Sequence, residues 1–192
     1  MADFKTPSET GGDDELIAAI LGGAEDRFQE LMARHQQAVF GYLYRLLLRD
    51  VELARDLTQT VFFKAYRNLA SVERGRPLTP WLMRIAHNEA ANHLRARARH
   101  PEQGLDDEAW DRLPATDSPN PEQATEASLD TERVAAAIAA LPRRMREVVT
   151  LHYHEDRSYN EIAEIMNLSV GAVGTLIHRA RNRLAQLLEG TA

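Results

Sequence analysis

The stretch closest to a catalytic or metal-binding constellation is His152-Tyr153-His154-Glu155, two imidazoles and a carboxylate within four residues. Histidines two positions apart on a helix point to different faces, so this spacing does not gather the donors around one ion. His35, His87, His93 and His100 stand singly, and no glycine-rich phosphate loop or plausible Ser/His/acid triad is present. Without cysteine the chain can form neither a disulfide scaffold nor a cysteine-ligated zinc site, and it cannot act as a thiol redox switch. The expectation is a binding protein rather than an enzyme, with no metal and no cofactor.

A second set of residues points to what is bound. Ser158-Tyr159-Asn160-Glu161 has the form of a capping box, in which a serine hydroxyl and a glutamate carboxylate satisfy each other's orphan amides at a helix start. Ile162, Ala163 and Met166 follow at helical spacing. Asn167 then tolerates the left-handed conformation of a tight turn. Ser169 can cap a second helix whose inner face carries Val173, Ile177 and Leu184. A small residue where two helices cross (Ala163), a turn residue four later (Asn167) and a branched apolar residue six beyond (Val173) make the pattern of a helix-turn-helix. Its second helix, from Val170, would enter the major groove, with Arg179, Arg181 and Arg183 meeting phosphates or a partner surface. A small helical bundle with a solvated arginine face would show the same residues.

The elements that must position such residues are helical throughout. Leu53, Leu57, Val61, Ala65 and Leu69 recur every four residues and predict a helix capped by Asp50. A preceding helix is expected from about Ala24 to Leu48, and the Gly22-Gly23 pair separates it from a short one beginning near Asp14. Residues 71–78 read as a loop. Thr79-Pro80 then restarts a helix, with Thr79 as its cap, over Trp81 to about Arg99, apolar at Trp81, Leu82, Ile85, Ala86 and Leu94. No segment sustains a period of two, so no sheet is expected.

Charge divides the 192 residues further. The formal net charge is −6, which as a total disfavours a nucleic-acid role. Residues 1–30 carry −6, 31–100 carry +7, 101–130 carry −8 and 131–192 carry +1. The third block holds four of the eight prolines (Pro101, Pro114, Pro119, Pro121), and its large apolar groups are Leu105, Trp110, Leu113 and Leu129. Low hydrophobicity with high charge cannot offset chain entropy, so this block reads as a linker. The fold class expected is all-α: two small helical domains joined by a flexible acidic linker. The division is a disordered tail (1–13), a first domain (14–100), the linker (101–130) and a helix-turn-helix domain (131–189). Apolar runs such as residues 135–141 are far too short for a membrane span. The N-terminus has no basic start before an apolar run, so a cytoplasmic protein is expected.

Taken together, three groups of residues resemble one family. These are Asp56-Leu-Thr-Gln-Thr-Val-Phe62; Pro80-Trp-Leu-Met-Arg-Ile-Ala-His-Asn88 with Asn92 and Arg95; and Leu141-Pro with Tyr159-Asn-Glu-Ile-Ala163 and His178-Arg-Ala-Arg181. In this order, and with the acidic block between them, they look like bacterial extracytoplasmic-function sigma factors of the sigma-70 family, over about Leu16 to Leu188. The resemblance implies a promoter-specificity subunit that binds RNA polymerase core, recognises the −35 and −10 elements and promotes melting, through a sigma region 2 and a sigma region 4 domain.

Residue roles follow from the same resemblance. Asp56, Gln59 and Phe62 would dock on the clamp helices of the β′ subunit. Residues 72–78, with Trp81, would capture a flipped base of the −10 element, and Asn88 and Asn92 would read it. Melted bases expose hydrogen-bonding edges, and amide side chains donate and accept at once. Arg74, Arg76, Arg84, Arg95, Arg97 and Arg99 would neutralise phosphates. Ser169, Val170, Gly171, Thr175, His178 and Arg179 would meet the −35 element, and region 4 would touch the β flap. Family members are commonly held by an anti-sigma factor wedged between their domains, and no fused sensor domain is expected after Ala192.

The chain departs from the family pattern in three places. Gly174 and Leu176 stand where basic residues are common, which should weaken upstream phosphate contacts, and Thr60 replaces a frequent glutamate. The linker raises a question of reach. A relaxed chain of about 30 residues spans roughly 30 Å and a fully extended one about 100 Å, whereas promoter elements two duplex turns apart lie on the order of 70 Å from each other. The linker should therefore be stretched on the promoter, where by resemblance it threads toward the RNA exit path as an acidic mimic of the transcript. Two other binding classes remain at this point: a regulator that binds duplex DNA without polymerase, and an adaptor acting by protein contact alone, which leaves the basic first domain unexplained.

Overall fold

A computed structural model describes residues 9–98 and 126–189. Among these every regular element is helical. The helices are α1 (Glu9–Leu21), α2 (Phe28–Leu46), α3 (Val51–Arg67), α4 (Leu78–Ala98), α5 (Glu126–Ala139), α6 (Arg143–Val149), α7 (Tyr159–Met166) and α8 (Val170–Glu189). Short 3-10 turns occupy Glu25–Arg27 and Leu69–Ser71, and α6 runs on into a π-helical turn over Thr150–His154. Two compact units result. One takes residues 9–44 and 50–93, the other 45–49, 94–98 and 126–189 of the described chain. No helix is long and apolar enough to cross a membrane.

In the first unit the apolar spacing does what helix geometry dictates. Asp50 accepts from the Leu53 amide at 3.0 Å and starts α3, and Ala54, Leu57, Val61 and Ala65 bury one stripe while Asp56 and Gln59 stay on the solvent side. The helix ends at Asn68, whose side-chain amide donates to the Lys64 carbonyl. The turn before α3 sets Leu48 and Arg49 at φ 58° and 67°, a left-handed pair without glycine that costs about 1–2 kcal/mol per residue.

Several element boundaries differ from the sequence reading. α1 begins at Glu9 rather than near Asp14, so residues 9–13 of the expected tail are helical. α2 begins at Phe28, the residues from Glu25 forming a 3-10 turn instead. α4 begins at Leu78, which places Thr79 inside the helix. Its hydroxyl is not a cap, because a buried histidine on α2 engages it. α5 begins at Glu126, five residues before the expected second domain. The rest of the acidic block, including Asp106, Asp107, Glu108 and Asp111, lies outside the described residues, as do residues 1–8 and Arg99.

In the second unit α6 and α7 pack on α8 around Leu141, Val149, Ile162, Val173, Ile177 and Ala180. Arg146 turns back from α6 to the end of α5, where its guanidinium donates to the carbonyls of Ala139 (2.9 Å) and Leu141 (3.0 Å). A cation there satisfies orphan carbonyls and complements the helix dipole.

Candidate nucleic-acid interface

The two halves of the helix-turn-helix are set by local chemistry. The Ser158 amide donates to Glu161 Oε2 (2.8 Å) while the Glu161 amide donates to Ser158 Oγ (3.3 Å), a complete capping box. Asn167 closes α7 at φ 52°, ψ 53°, in the left-handed region, and the Leu168 amide reaches back to the Ala163 carbonyl. The Ala172 amide then donates to Ser169 Oγ at 3.2 Å and opens α8.

With Val173, Ile177 and Ala180 buried, Gly171, Thr175, His178 and Arg179 lie on the opposite side of α8 and Ser169 and Val170 stand at its N-terminal end, all six exposed. The Thr175 hydroxyl donates back to the Gly171 carbonyl at 2.9 Å, and His178 Nε2 lies 3.2 Å from the Asn182 amide nitrogen. Arg179 and Arg181 form no ion pair among the described residues. Gly174 is half-buried, and a side chain there would begin 3.8 Å from the Tyr159 ring, an ordinary contact distance.

The second face lies on α4, whose residues 78–93 belong to the first unit and 94–98 to the second. Leu78, Leu82, Met83, Ala86 and Ala90 point inward, while Arg84, Asn88, Asn92 and Arg95 line up along the exposed side at intervals of four, four and three. Trp81 is half-buried beside them. Arg74 and Arg76 are exposed on the loop before α4, where Arg76 pairs with Glu73 at 3.0 Å. Lys64 of α3 donates to Glu89 of α4 at 2.6 Å, so the acid on α4 is matched within the unit. Of Arg97 only the backbone is described. Two exposed faces that carry arginine beside amide, hydroxyl or imidazole groups can meet phosphates and base edges.

Comparison with known proteins covers both parts of the chain. The family description "Sigma-70 region 2" matches residues 31–100 and "Sigma-70, region 4" matches residues 131–184. The RNA polymerase sigma-H factor of Pseudomonas aeruginosa is 33% identical over 182 residues, covering 92% of this chain and 94% of that protein. The ECF RNA polymerase sigma-E factor of Escherichia coli is 33% identical over 183 residues, again covering 92% and 94%. The chain belongs to the extracytoplasmic-function sigma factors. Among solved structures it is similar to the sigma factor RpoE of Bartonella quintana in complex with the anti-sigma factor NepR, with TM-score 0.68 and 27% identity over 84% of this chain and 96% of that one. It is also similar to CnrH in complex with the cytosolic domain of CnrY, with TM-score 0.65 and 27% identity over 94% and 99%.

As a sigma factor the protein serves promoter-specific initiation of transcription by RNA polymerase. The structure separates the three residues expected to meet the polymerase. Asp56 and Gln59 are exposed on α3, but Phe62 is only 4% exposed and meets Phe28 edge-on at 6.5 Å. Phe62 is thus a core residue of this unit, because it falls on the helix face that carries Val61 and Ala65 inward. Its neighbour Phe63 is 61% exposed, with the Arg67 guanidinium 5.7 Å from its ring centre.

Sequence reasoning also missed a buried polar cluster. His35 sits on the α2 stripe with Leu31, Val39 and Tyr42, and Asp13 of α1 lies 2.8 Å from its Nε2. When the Nε2 proton points at Asp13, His35 Nδ1 accepts from the Thr79 hydroxyl at 3.3 Å. Its place on an apolar stripe was the available signal, since a buried imidazole requires partners. His152, by contrast, lies with Nδ1 3.1 Å from the Arg157 carbonyl and packs on the rings of Tyr153 and Tyr159. No group of three or more metal-ligating side chains gathers among the described residues.

Proposed function

We propose that this sigma factor binds RNA polymerase core and reads two promoter elements, one through α4 and the loop before it, the other through α8. Arg84, Asn88, Asn92 and Arg95 of α4, with Trp81 and the loop bearing Arg74 and Arg76, take the −10 element as a melted non-template strand. Ser169, Val170, Gly171, Thr175, His178 and Arg179 of α8 take the −35 element as duplex. Asp56 and Gln59 dock on the β′ clamp helices and region 4 on the β flap. The observation that carries this reading is the row on α4, whose four polar residues share one exposed face over an apolar inner one. Splayed bases need donors and acceptors with phosphate-neutralising cations beside them, and that row supplies both. The protein acts in the cytoplasm and performs no catalysis itself. Because two structural relatives were solved with anti-sigma or cytosolic partners, an anti-sigma factor is the expected regulator here as well.

Transcription from sheared genomic DNA of the source bacterium, with purified core polymerase and this chain, tests the reading. Discrete transcript starts preceded by a shared pair of motifs are expected only when both proteins are present. Sequence-specific duplex binding by the chain alone, without polymerase-dependent starts, would make it an independent regulator instead.

A further inference from the structure

Residues 72–77 lead from the 3-10 turn into α4, and all of them from Glu73 to Pro77 are exposed. Gly75 has φ +80°, and nothing stands within 4 Å of where a side chain would begin. A loop tip this open has little packing of its own to select one conformation. A tether reaches it from α1: the Gly75 amide donates to Asp14 Oδ2 at 2.7 Å, across 61 positions of sequence. α1 is itself locked, since the adjacent Asp13 is buried against His35 of α2 and through it Thr79 in the first turn of α4, and Arg34 donates to its other oxygen at 3.2 Å. The connection runs from the interior of the helical unit through Asp13 to Asp14 and out to the tip.

We propose that Asp14 is a positioning residue for −10 recognition, holding the 72–77 loop in the conformation that receives a melted base. This rests on the reading of α4 and its preceding loop as the −10 surface. A carboxylate repels the phosphates of an arriving strand, so attraction cannot be what Asp14 contributes. What it supplies is order: a loop restricted before binding loses less conformational entropy when the base is captured. Base discrimination should therefore depend on Asp14, while core binding should not.

Full-length chain combined with purified bacterial core polymerase is tested on fork-junction DNA whose single-stranded non-template −10 segment carries six randomised bases, and bound molecules are sequenced. Asp14→Ala is expected to lower enrichment of the preferred base at the loop-read position by about 3- to 10-fold, the net worth of one such hydrogen bond, with core affinity unchanged. Asp14→Asn keeps an acceptor oxygen and should retain the wild-type enrichment, whereas loss equal to that of Asp14→Ala overturns the role. Gly75→Ala leaves the carboxylate in place but disfavours the left-handed φ, so it should reproduce the loss even where Asp14→Ala lowers the melting temperature. The double variant Asn88→Ala/Asn92→Ala separates the two readings. If it flattens enrichment while Asp14→Ala and Gly75→Ala both keep the wild-type pattern, the positioning role alone fails. If it too leaves the pattern intact, the −10 reading beneath it fails.

Discussion

Phe62 and Phe63 are adjacent and chemically identical, yet helix geometry turns one into the core and the other into water. Truncating Phe62 should create a cavity costing about 3–5 kcal/mol, whereas Phe63→Ala should change stability by no more than about 0.5 kcal/mol. Urea melts of the two variants check this directly. Phe63 shares its helix with exposed Asp56 and Gln59, so Phe63→Ala is expected to weaken association with core polymerase, and competition against wild-type chain for core measures it. Gly174 poses the opposite case, a missing side chain in mid-helix. A methyl group there would sit at ordinary contact distance from Tyr159, so Gly174→Ala should stabilise the second unit by about 0.5–1 kcal/mol. If α8 reads the −35 element as proposed, Gly174→Arg should add a phosphate contact and steepen the salt dependence of that binding by roughly one unit of log–log slope.

At the scale of elements, helix starts were legible wherever the cap was local. Asp50, Ser158 with Glu161, Asn167 and Ser169 all act within three to five residues of their own position, so sequence order alone brings the groups together. Thr79 had the right residue type for a cap but does not act as one, because α4 starts one residue earlier and His35 of α2 takes its hydroxyl. The capping box at α7 also makes a pH prediction. Burial alone would push the Glu161 carboxyl up, but the hydroxyl and amide of Ser158 together with Arg157 outweigh it and hold it below the usual carboxylate range. A depressed folded pKa means that this stabilisation is complete above the unfolded value and disappears as pH falls through the lower folded one. Glu161→Ala should cost about 1 kcal/mol at neutral pH, and Glu161→Gln should make the acid unfolding transition of the second unit less steep. Circular dichroism across pH 2–7 distinguishes the two.

For the whole molecule, the net charge of −6 concealed a basic block that contains the α4 face and an acidic block whose charge has the same sign as phosphate. If the acidic block stands in for transcript inside the polymerase, replacing Asp106, Asp107, Glu108 and Asp111 by their amides should change the ratio of abortive to full-length RNA in transcription with core enzyme. An unchanged ratio would leave that block as a spacer. The family, the all-helical class, the helix-turn-helix and the opposed charges of the blocks were all determined by sequence alone, because periodicity, caps and charge sums depend on residue type and near neighbours. Tertiary structure decided that the histidine on the α2 stripe meets Asp13 and Thr79, and that Asp14 reaches the Gly75 amide. Those groups lie 22, 44 and 61 positions apart, and only the docking of one helix on another brings atoms so distant in sequence within 3.3 Å or less of each other.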